Sequence, residues 1–289
     1  MQAPLTSELP RVFPTVDGVR EAVRAAQAAG RTVGFVPTMG ALHAGHLSLV
    51  DAARAECDST VVSIFVNPTQ FGPQEDLNRY PRDLDQDLRR LGERRCDLVF
   101  APSVDEMYPN GHETSVDVGP LGHELEGEYR PEHFRGVATV VLKLFQIVPA
   151  DVAYFGRKDY QQSLVVRKLV GDLNVPIEIR VCPTVREPDG LAMSSRNAYL
   201  SAGQRRQALA LSQSLQLAER LAKQGERDVR RIREKMLEQL RAVGGVELQY
   251  VAFVADGTLT PVATLEGPTT VAIAAKVGKT RLIDNLLLA

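Results

Sequence analysis

The sequence of 289 residues has no tryptophan and only three cysteines. Cys57, Cys96 and Cys182 lie far apart and form no Cys-x-x-Cys pair. An odd number of scattered cysteines argues against a disulfide framework, so we expect reduced, buried thiols in a cytosolic chain. We assign these cysteines no chemical role.

Long apolar runs are also missing from the sequence. No stretch approaches the roughly 20 apolar residues of a membrane span. Residues 1–14 carry charge and three prolines but lack the apolar segment of a signal peptide. We therefore expect a soluble, intracellular protein that does not act at a membrane.

Neither sign of charge predominates in the chain. Lysine and arginine total 34, aspartate and glutamate total 36, and the formal net charge is −2. This balance gives no global electrostatic attraction for nucleic acid or for an anionic membrane. A small anion would have to be bound by local cations.

The two common glycine-rich nucleotide-binding loops are absent as well. The sequence has no Gly-x-Gly-x-x-Gly motif. Gly278-Lys279-Thr280 resembles the end of a Walker A loop, but the first glycine of that motif would fall at Ile273, inside a predicted strand. Neither loop can therefore supply a nucleotide site here.

What the sequence does contain is a strand–turn–helix unit around residues 37–46, Pro-Thr-Met-Gly-Ala-Leu-His-Ala-Gly-His. A β-like run at 32–36 precedes it and an amphipathic helical pattern follows. Such a unit directs backbone N–H groups and the positive end of a helix dipole at one point, where phosphate is the natural ligand. His43 and His46 share a helix face and add side-chain donors.

Two other interpretations of this histidine pair are open at this point. Both residues could be surface or capping histidines, or they could bind a metal ion. A metalloprotease would require His-Glu-x-x-His, and no cysteine pair lies nearby to complete a zinc site. Their position after a buried strand and between two glycines favours phosphate binding.

The pattern predicts an α/β fold, namely a Rossmann-like doubly wound parallel sheet with a smaller α+β C-terminal domain. Short apolar runs alternate with helical patterns up to residue 182. The predicted strands are 32–36, 60–66, 96–102, 151–155 and 177–182. The predicted helices are 17–29 with Asp17 as N-cap and Gly30 after its end, 47–56, 80–92, 137–148 and one after residue 159.

After residue 185 the pattern changes to helices followed by strands. Ser201 and Gln204 form a capping box that begins a helix to about residue 223. A charged helix at 226–242 and strands at 248–254 and 270–276 follow. We therefore predict a Rossmann-like, ligand-binding domain at 1–185 and the smaller α+β domain at 186–289.

Two polar regions allow more than one interpretation. Asp83, Asp85 and Asp87 are interpreted as first-turn charges that complement a helix dipole, in preference to metal ligands. Residues 105–136 form a long glycine-rich stretch that indicates a lid or a flexible wall. A solvated excursion is the alternative, and His133 and Arg135 within it are left unassigned.

The His-x-Gly-His element after the first predicted strand resembles the HIGH-type signature of the nucleotidyltransferase superfamily, in which imidazoles hold ATP phosphates. The longer string at 37–46 is similar to that of the pantothenate synthetase (pantoate–β-alanine ligase) family. Similar strings follow in order over almost the whole chain, at 63–68, 70–71, 80–82, 133–137, 155–162, 186–187, 190–197 and 281–285.

The resemblance implies an ATP-dependent ligase that condenses (R)-pantoate with β-alanine through a pantoyl-adenylate. AMP, pyrophosphate and pantothenate leave, and pantothenate goes on to coenzyme A. The resemblance also implies Mg²⁺, a homodimer, and binding of the nucleotide and pantoate by the domain at 1–185. Catalysis of adenylate formation depends mainly on positioning and on electrostatic stabilisation of the departing pyrophosphate.

The resemblance also implies the site residues. His46, His43 and Lys158 are the candidate catalytic residues, with His46 as the candidate proton donor. The candidate ATP-binding residues are Met39, Gly40, His43, His46, Gly156, Lys158, Asp159, Val185, Met193, Ser194, Ser195 and Arg196. The candidate pantoate-binding residues are Gln70 and Gln162, whose amides can both donate and accept, with Asn67 and Tyr80 as further candidates.

Two departures from the family pattern limit this assignment. Arg157 stands where relatives commonly have glutamate, so we carry no side-chain role to it. Gln86 interrupts an acidic run that is often denser in relatives, so we predict no protein ligands for Mg²⁺. The alternatives to the ligase are an adenylyltransferase that acts on a phosphorylated acceptor and a catalytically silent ATP-binding sensor.

Overall fold

The strands of the protein form two separate sheets. The computed structural model describes residues 9–73 and 75–288. The first sheet contains β1 (Arg11–Phe13), β2 (Val33–Thr38), β3 (Ser59–Ile64), β4 (Leu98–Phe100), β5 (Val152–Gly156) and β6 (Glu178–Cys182). The second contains β7 (Val246–Ala255), β8 (Thr269–Val277) and β9 (Thr280–Leu288).

The first sheet is parallel, and its strand order places the predicted site. The order is β1-β4-β3-β2-β5-β6, with parallel pairing between each pair of neighbours. The chain runs outward from β2 through β3 to β4 on one side and then returns to β5 on the other. The carboxyl ends of β2 and β5 therefore meet at a topological switch point, where open α/β sheets bind ligands.

The helices in the described residues are α1 to α9. They are α1 (Val16–Ala28), α2 (Ala44–Glu56), α3 (Leu84–Glu93), α4 (Val104–Met107), α5 (Glu126–Tyr129), α6 (His133–Ile147), α7 (Tyr160–Asp172), α8 (Ala202–Lys223) and α9 (Val229–Val243). The capping box at Ser201 and Gln204 is confirmed. The predicted N-cap at Asp17 is wrong, because Thr15 caps α1 by accepting from the Gly18 N–H.

Two apolar layers cover the two faces of the parallel sheet. On one face, α1, α6 and α7 pack through residues such as Val23, Val137 and Val165. On the other face, α2 and α3 pack through residues such as Val50 and Leu91. Burial on both faces explains why the strands are continuous apolar runs, and it confirms the doubly wound prediction.

Two strands were missed by the sequence prediction. β1 has three residues and lies at the edge of the sheet beside β4, so it carries too little pattern to be recognised. β9 pairs antiparallel with β8 through a turn that contains Gly278, whose φ is +59°. The false Walker A ending is therefore the turn of a hairpin.

The C-terminal sheet packs against α8 and α9 around its own apolar cluster, which includes Leu211, Ile232 and Ile273. This confirms a small α+β unit after the parallel sheet. The exact boundary between residues 185 and 186 stays a prediction.

The 105–136 region contains more regular structure than a loop. It holds the end of α4, a 3₁₀ turn at Gly119–Gly122 and α5. Glu126 of α5 is buried and forms an ion pair with Arg281 of β9, with Nη2 to Oε1 at 2.7 Å. This segment therefore contacts the C-terminal sheet, and its movement as a lid stays a prediction.

Two observations concern the expectation of a reducing, non-membrane compartment: the state of the cysteines and the character of the helices. All three cysteines are free, but only Cys96 is buried, while Cys57 and Cys182 are partly exposed. The expectation of buried thiols is therefore confirmed for Cys96 alone. In the part of the chain that the structure describes, no helix is long and apolar enough to span a membrane.

Candidate active site

The turn between β2 and α2 has the geometry expected of an anion site. His43 is the N-cap of α2, and its Nδ1 accepts a hydrogen bond from the Gly45 N–H at 3.1 Å. A Cβ on Gly45 would lie 2.9 Å from the His43 ring, so glycine is required for this cap. Because Nδ1 accepts, the neutral ring carries its proton on Nε2.

The preceding loop is held by a carboxylate from another helix. Asp87 of α3 is buried and accepts the N–H groups of Ala41 at 2.9 Å and Leu42 at 2.8 Å. Gly40 and Ala41 both have positive φ, +77° and +49°, and for Ala41, which carries a Cβ, this conformation needs such support. The interpretation of Asp87 as a simple first-turn charge is therefore incomplete.

The other two aspartates of α3 agree with the sequence interpretation. Asp83 is the N-cap and accepts from the Gln86 N–H at 3.0 Å, while Asp85 is exposed in the first turn. Burial raises the pKa of Asp87, and its two backbone hydrogen bonds partly offset that effect. Asp87 thus faces inward because of its position on the helix, which a charge pattern alone does not reveal.

The two histidines of the signature stack on each other. The ring centroids of His43 and His46 are 4.0 Å apart, with 25° between the planes. Burial and then the charge of Lys158 lower the pKa of His43 to about 4. Burial and then the charge of His43 place the pKa of His46 well below its usual value. Both imidazoles are therefore neutral at pH 7, and each ring carries one N–H group that can donate.

One histidine atom has no partner within the protein. The buried Nδ1 of His46 makes no hydrogen bond with any of the described residues. A buried polar atom without a partner costs free energy, so such atoms mark places where a ligand or water binds. This agrees with a ligand site next to the ring and not with a satisfied core histidine.

The turn between β5 and α7 brings a lysine to the same place. Lys158 follows Gly156 at the end of β5, and its Nζ lies 3.5 Å from Asp159 Oδ1. The side-chain amide of Asn285 in β9 donates to the carbonyl oxygens of Arg157 and Lys158, both at 2.9 Å. The C-terminal sheet therefore fixes the backbone that carries the lysine.

The segment around residues 193–196 closes the site from the C-terminal side. Ser195 Oγ lies 3.2 Å from the hydroxyl of Tyr80, and the Met193 N–H donates to the Val185 carbonyl at 3.0 Å. Arg196 forms two hydrogen bonds with Asp76, both at 2.9 Å. Asp76 therefore compensates the charge of Arg196 in this structure.

These segments converge on one cavity of about 200 Å³. The candidate residues that line it are Met39, His43, His46, Asn67, Gln70, Tyr80, Gly156, Lys158, Asp159, Gln162, Val185, Met193, Ser194, Ser195 and Arg196. Lys158, Asp159, Ser194 and Arg196 also line an adjoining cleft of about 780 Å³. Segments from five parts of the chain thus face the same space, as the resemblance implied.

Gly40 is the candidate that does not line this cavity. Its N–H donates to Thr38 Oγ1 at 3.1 Å, and an added Cβ would lie 2.9 Å from Asp87 Oδ2. Its backbone is therefore already engaged inside the loop. Gly40 as an ATP contact stays a prediction, and its visible role in this structure is to let Asp87 approach.

The end of the cavity near Gln70 combines amides with apolar side chains. Gln70 and Asn67 are buried and hydrogen-bonded to each other at 3.1 Å, and Gln162 of α7 lines the same cavity. Val137, Val140 and Val141 of α6 form an apolar wall. Such a lining suits a small acid that carries branched methyl groups.

Several residues that hold the site together are not among the candidates predicted from the sequence. They are Asp87, Asp76, Asn285, Tyr108 and the pair Arg130 and His133. From the sequence, His133 has no assigned role and Asp87 is interpreted as a helix-dipole charge. Each contacts a site residue, or the loop that carries one, far away in sequence, so no local pattern identifies its partner.

Within residues 9–73 and 75–288, no group of three or more His, Cys, Asp or Glu side chains is arranged to hold a metal ion. The interpretation of the histidine pair as metal ligands thus finds no third ligand among these residues. Phosphate binding remains the interpretation that the geometry favours.

The comparisons with known proteins agree with this geometry. A family model described as pantoate-beta-alanine ligase matches residues 11–287. The pantothenate synthetase of Pelotomaculum thermopropionicum is 52% identical over 277 residues, which cover 96% of this chain and 98% of that protein. The chain belongs to the pantoate–β-alanine ligase family.

Solved structures of the same family have the same fold. A crystal structure of pantothenate synthetase from Thermus thermophilus has a TM-score of 0.91 and 49% identity, covering 96% of this chain and 98% of that one. The Francisella tularensis ligase, solved in complex with "Beta-gamma ATP and Beta-alanine", has a TM-score of 0.81 and 35% identity, covering 96% and 97%.

Family membership at this coverage establishes the activity. The protein is an enzyme that condenses pantoate with β-alanine in an ATP-dependent reaction. The alternative, an adenylyltransferase that acts on a phosphorylated acceptor, is not favoured. Which residue performs which step is a separate question.

The depressed histidine pKa values predict how stability depends on pH. The pKa values of His43 and His133 are both about 4, and burial is the main cause in each case. The unfolded chain, with histidine pKa values near 6.5, binds more protons between about pH 6.5 and pH 4. The free energy of unfolding should therefore fall as pH decreases through that range, by up to ~1.4 kcal/mol per pH unit for each imidazole.

Urea unfolding at several pH values between 7 and 4.5 measures this slope. His133→Gln removes one titrating group while keeping an amide that can donate and accept, so its slope should be smaller. A wild-type stability that stays constant from pH 6.5 to 5 would contradict the prediction.

Proposed function

We propose that the cavity binds ATP at its histidine and lysine end and pantoate at its amide end, and that pantoyl-adenylate forms between them. The observation that carries this proposal is the convergence of His43, His46 and Lys158 on the cavity that Gln70 and Gln162 also line. Bringing two anions together needs donors and cations already in position, which lowers the cost of reorganisation during the reaction.

In the first step a carboxylate oxygen of pantoate forms a bond to the α-phosphorus. The bond between that phosphorus and the bridging oxygen breaks, and pyrophosphate leaves with the electron pair. Lys158 contributes positive charge to the growing negative charge, and the Nε2–H of His43 donates to a phosphate oxygen. Arg196 adds its charge once ATP phosphates compete with Asp76 for its guanidinium group.

His46 acts in the same step as a neutral donor. Its low pKa means that the ring is uncharged when the reaction begins, so we assign its single N–H group a hydrogen bond to a phosphate oxygen. A bound phosphate would raise that pKa, because an opposite charge favours the imidazolium. Proton donation to the departing pyrophosphate is then available to His46 after ATP has bound.

The nucleoside is assigned to the residues that follow β5 and β6. Gly156 lines the cavity, and an added Cβ there would meet no protein atom within 4 Å, so the backbone is open to a ligand. We assign Gly156, Asp159 and the Val185 backbone to the nucleoside. Met39, Met193, Ser194 and Ser195 complete the ATP side.

Pantoate is assigned to the amide end of the cavity. Gln70 and Gln162 would bind its hydroxyl and carboxylate oxygens, and the valine wall of α6 would contact its two methyl groups. Tyr80 lies beside Ser195 at the border with the ATP side. Apolar contact supplies affinity, and the few polar groups fix the orientation of the acid.

In the second step the uncharged amine of β-alanine attacks the acyl carbon. The new C–N bond forms as the bond from the acyl carbon to the AMP oxygen breaks, and AMP leaves with the electron pair. The proton that the nitrogen loses passes to phosphate or solvent. This step requires no nucleophile from the protein.

Mg²⁺ is assigned to the nucleotide and not to a resident protein site. The described residues contain no metal-binding cluster of their own, which suits an ion that enters as the ATP complex. The ion would neutralise phosphate charge beside Lys158. We name no protein ligand for it.

The proposal also includes a homodimer in the cytoplasm. The dimer rests on family resemblance, and light scattering coupled to gel filtration tests it. The cytoplasmic location agrees with three free cysteines, which are usual in a reducing compartment.

Isotope exchange between pyrophosphate and ATP tests the adenylate directly. Labelled pyrophosphate should enter ATP only when pantoate is present, and it should do so without β-alanine. Exchange that does not depend on pantoate, or that needs a phosphorylated acceptor, would reject the proposal. An exchange signal that requires β-alanine would reject the adenylate route in favour of a concerted reaction.

A further inference from the structure

Gln70 could present either end of its amide to the acid, and neighbouring groups decide which one. The Gln70 Oε1 atom accepts from Asn67 Nδ2 at 3.1 Å, and Gln70 Nε2 lies 3.1 Å from the sulfur of Met39, another residue that lines the cavity. The orientation of Gln70 thus depends on the orientation of Asn67. That orientation follows from groups whose donor or acceptor character is fixed.

The oxygen of Asn67 is identified by a backbone donor. Asn67 Oδ1 accepts the backbone N–H of Thr69 at 3.3 Å, and it also accepts the Thr69 hydroxyl at 3.0 Å and the Tyr108 hydroxyl at 2.9 Å. A backbone N–H can only donate, so the atom that faces it must be the oxygen.

The nitrogen of Asn67 is identified by a backbone acceptor. Asn67 Nδ2 lies 3.2 Å from the carbonyl oxygen of Gly136, which can only accept. Asn67 is 1% exposed, so it has no solvent with which to exchange these partners. With both ends determined, the remaining proton on Nδ2 points at Gln70, and the Gln70 atom that meets it must be the oxygen.

The backbone of Gln70 is also fixed by hydrogen bonds. Its carbonyl oxygen accepts from His133 Nδ1 at 2.9 Å and from Arg130 Nη2 at 3.2 Å. A Cβ on Gly136 would overlap the Thr69 carbonyl group, so α6 packs directly on this backbone. The main chain of Gln70 cannot move without breaking these two hydrogen bonds, and reversal of its amide would break the hydrogen bond from Asn67.

We propose that Asn67 is a positioning residue that fixes the Gln70 amide with its NH₂ group toward the cavity, so that Gln70 binds the acid by donating a hydrogen bond to one of its oxygens. The Tyr108 hydroxyl stabilises that orientation because it donates a hydrogen bond to Asn67 Oδ1. The acid is therefore selected here through an acceptor oxygen, and Asn67, which the resemblance placed among the pantoate contacts, acts through Gln70. This inference rests on the proposed assignment of pantoate to Gln70.

Asn67→Asp tests the orientation with little change in shape. The new carboxylate keeps an oxygen for Thr69 and Tyr108 but turns an oxygen toward Gln70, whose amide must then reverse and face the acid with its own oxygen. We expect the KM for pantoate to rise about 10- to 100-fold, the range for a lost hydrogen bond to a charged group. The KM for ATP should change less than threefold.

A double-mutant cycle separates positioning from a general structural effect. Gln70→Ala removes the amide that Asn67 orients, so adding Asn67→Asp to Gln70→Ala should raise the pantoate KM less than threefold further. If the two effects multiply in full, Asn67 does not act through Gln70 and the inference is wrong. It is also wrong if Asn67→Asp alone leaves the pantoate KM unchanged.

Tyr108→Phe provides a second and milder test, which also serves if Asn67→Asp fails to fold. It removes one hydroxyl and keeps the ring, and we expect a rise of about threefold to tenfold in the pantoate KM that disappears in the Gln70→Ala background. An unchanged KM, or a rise that persists without Gln70, contradicts the inference. A Gln70→Ala enzyme with the wild-type pantoate KM would instead refute the placement of pantoate in the proposed function.

Discussion

Replacing Lys158 or His46 by alanine is expected to lower the rate of pantoyl-adenylate formation at least ~100-fold, the usual cost of a lost transition-state donor. Lys158 follows β5 and His46 lies in the first turn of α2, and both line the cavity at the switch point of the sheet. Their contribution grows as negative charge develops on the departing pyrophosphate. The loss should therefore appear mainly in kcat.

Two surface residues provide matched controls for these variants. Lys168 lies on α7, the helix that follows the lysine turn, is about half exposed and pairs with Asp172. His123 is exposed on the 105–136 segment. Lys168→Ala and His123→Ala should both stay within twofold of the wild type in pantoate-dependent exchange. A Lys158→Ala or His46→Ala enzyme within threefold of wild type would overturn the roles assigned to them.

The second large effect is expected at Asp87, a residue that never touches substrate in our assignment. Asp87→Ala removes the acceptor for the N–H groups of Ala41 and Leu42 and leaves both unpaired in a loop with two positive φ angles. At ~1–3 kcal/mol for each of the two unpaired donors, we expect the free energy of unfolding to fall by about 2–6 kcal/mol. We expect kcat/KM to fall about 100-fold, since displacement of His43 by about 1 Å is enough for that.

Asp85→Ala is the control for Asp87, because it removes a carboxylate from the same helix turn without touching the loop. It should change stability by less than ~0.5 kcal/mol, as surface substitutions usually do. Asp87→Asn keeps one acceptor oxygen and should fall between the two. If Asp87→Ala unfolds in urea like the wild type, the loop does not depend on this carboxylate.

Local signals predicted much of the fold because each depends on residues a few positions apart. The capping box at Ser201 needs only Gln204, and the apolar runs of β2 and β3 reflect burial on both faces of the sheet. Where a local signal was weak, the prediction failed: β1 has three residues, and Thr15 competed with Asp17 for the cap of α1.

The candidate site divides in the same way. Short motifs that can be recognised in the sequence contain His43, His46 and Lys158, and the structure brings these residues to one cavity. Gly40 belongs to the same string as the histidines, yet its N–H faces Thr38. A motif therefore predicts which segment reaches the site, while the direction of each backbone group depends on the loop as folded.

The amino-acid sequence by itself determined the alternation of strands and helices, the strand–turn–helix unit that carries the histidines and the family to which the chain belongs. Only the tertiary structure decided that Asp87 supports that unit, that Asp76 pairs with Arg196 and that Asn67 donates a hydrogen bond to the side chain of Gln70. The physical reason is the distance along the chain between the residues that interact. Helix and strand periodicity and helix capping depend on interactions between residues a few positions apart in the chain. A buried carboxylate or amide instead bonds to whichever segment the packed sheet and helices place against it.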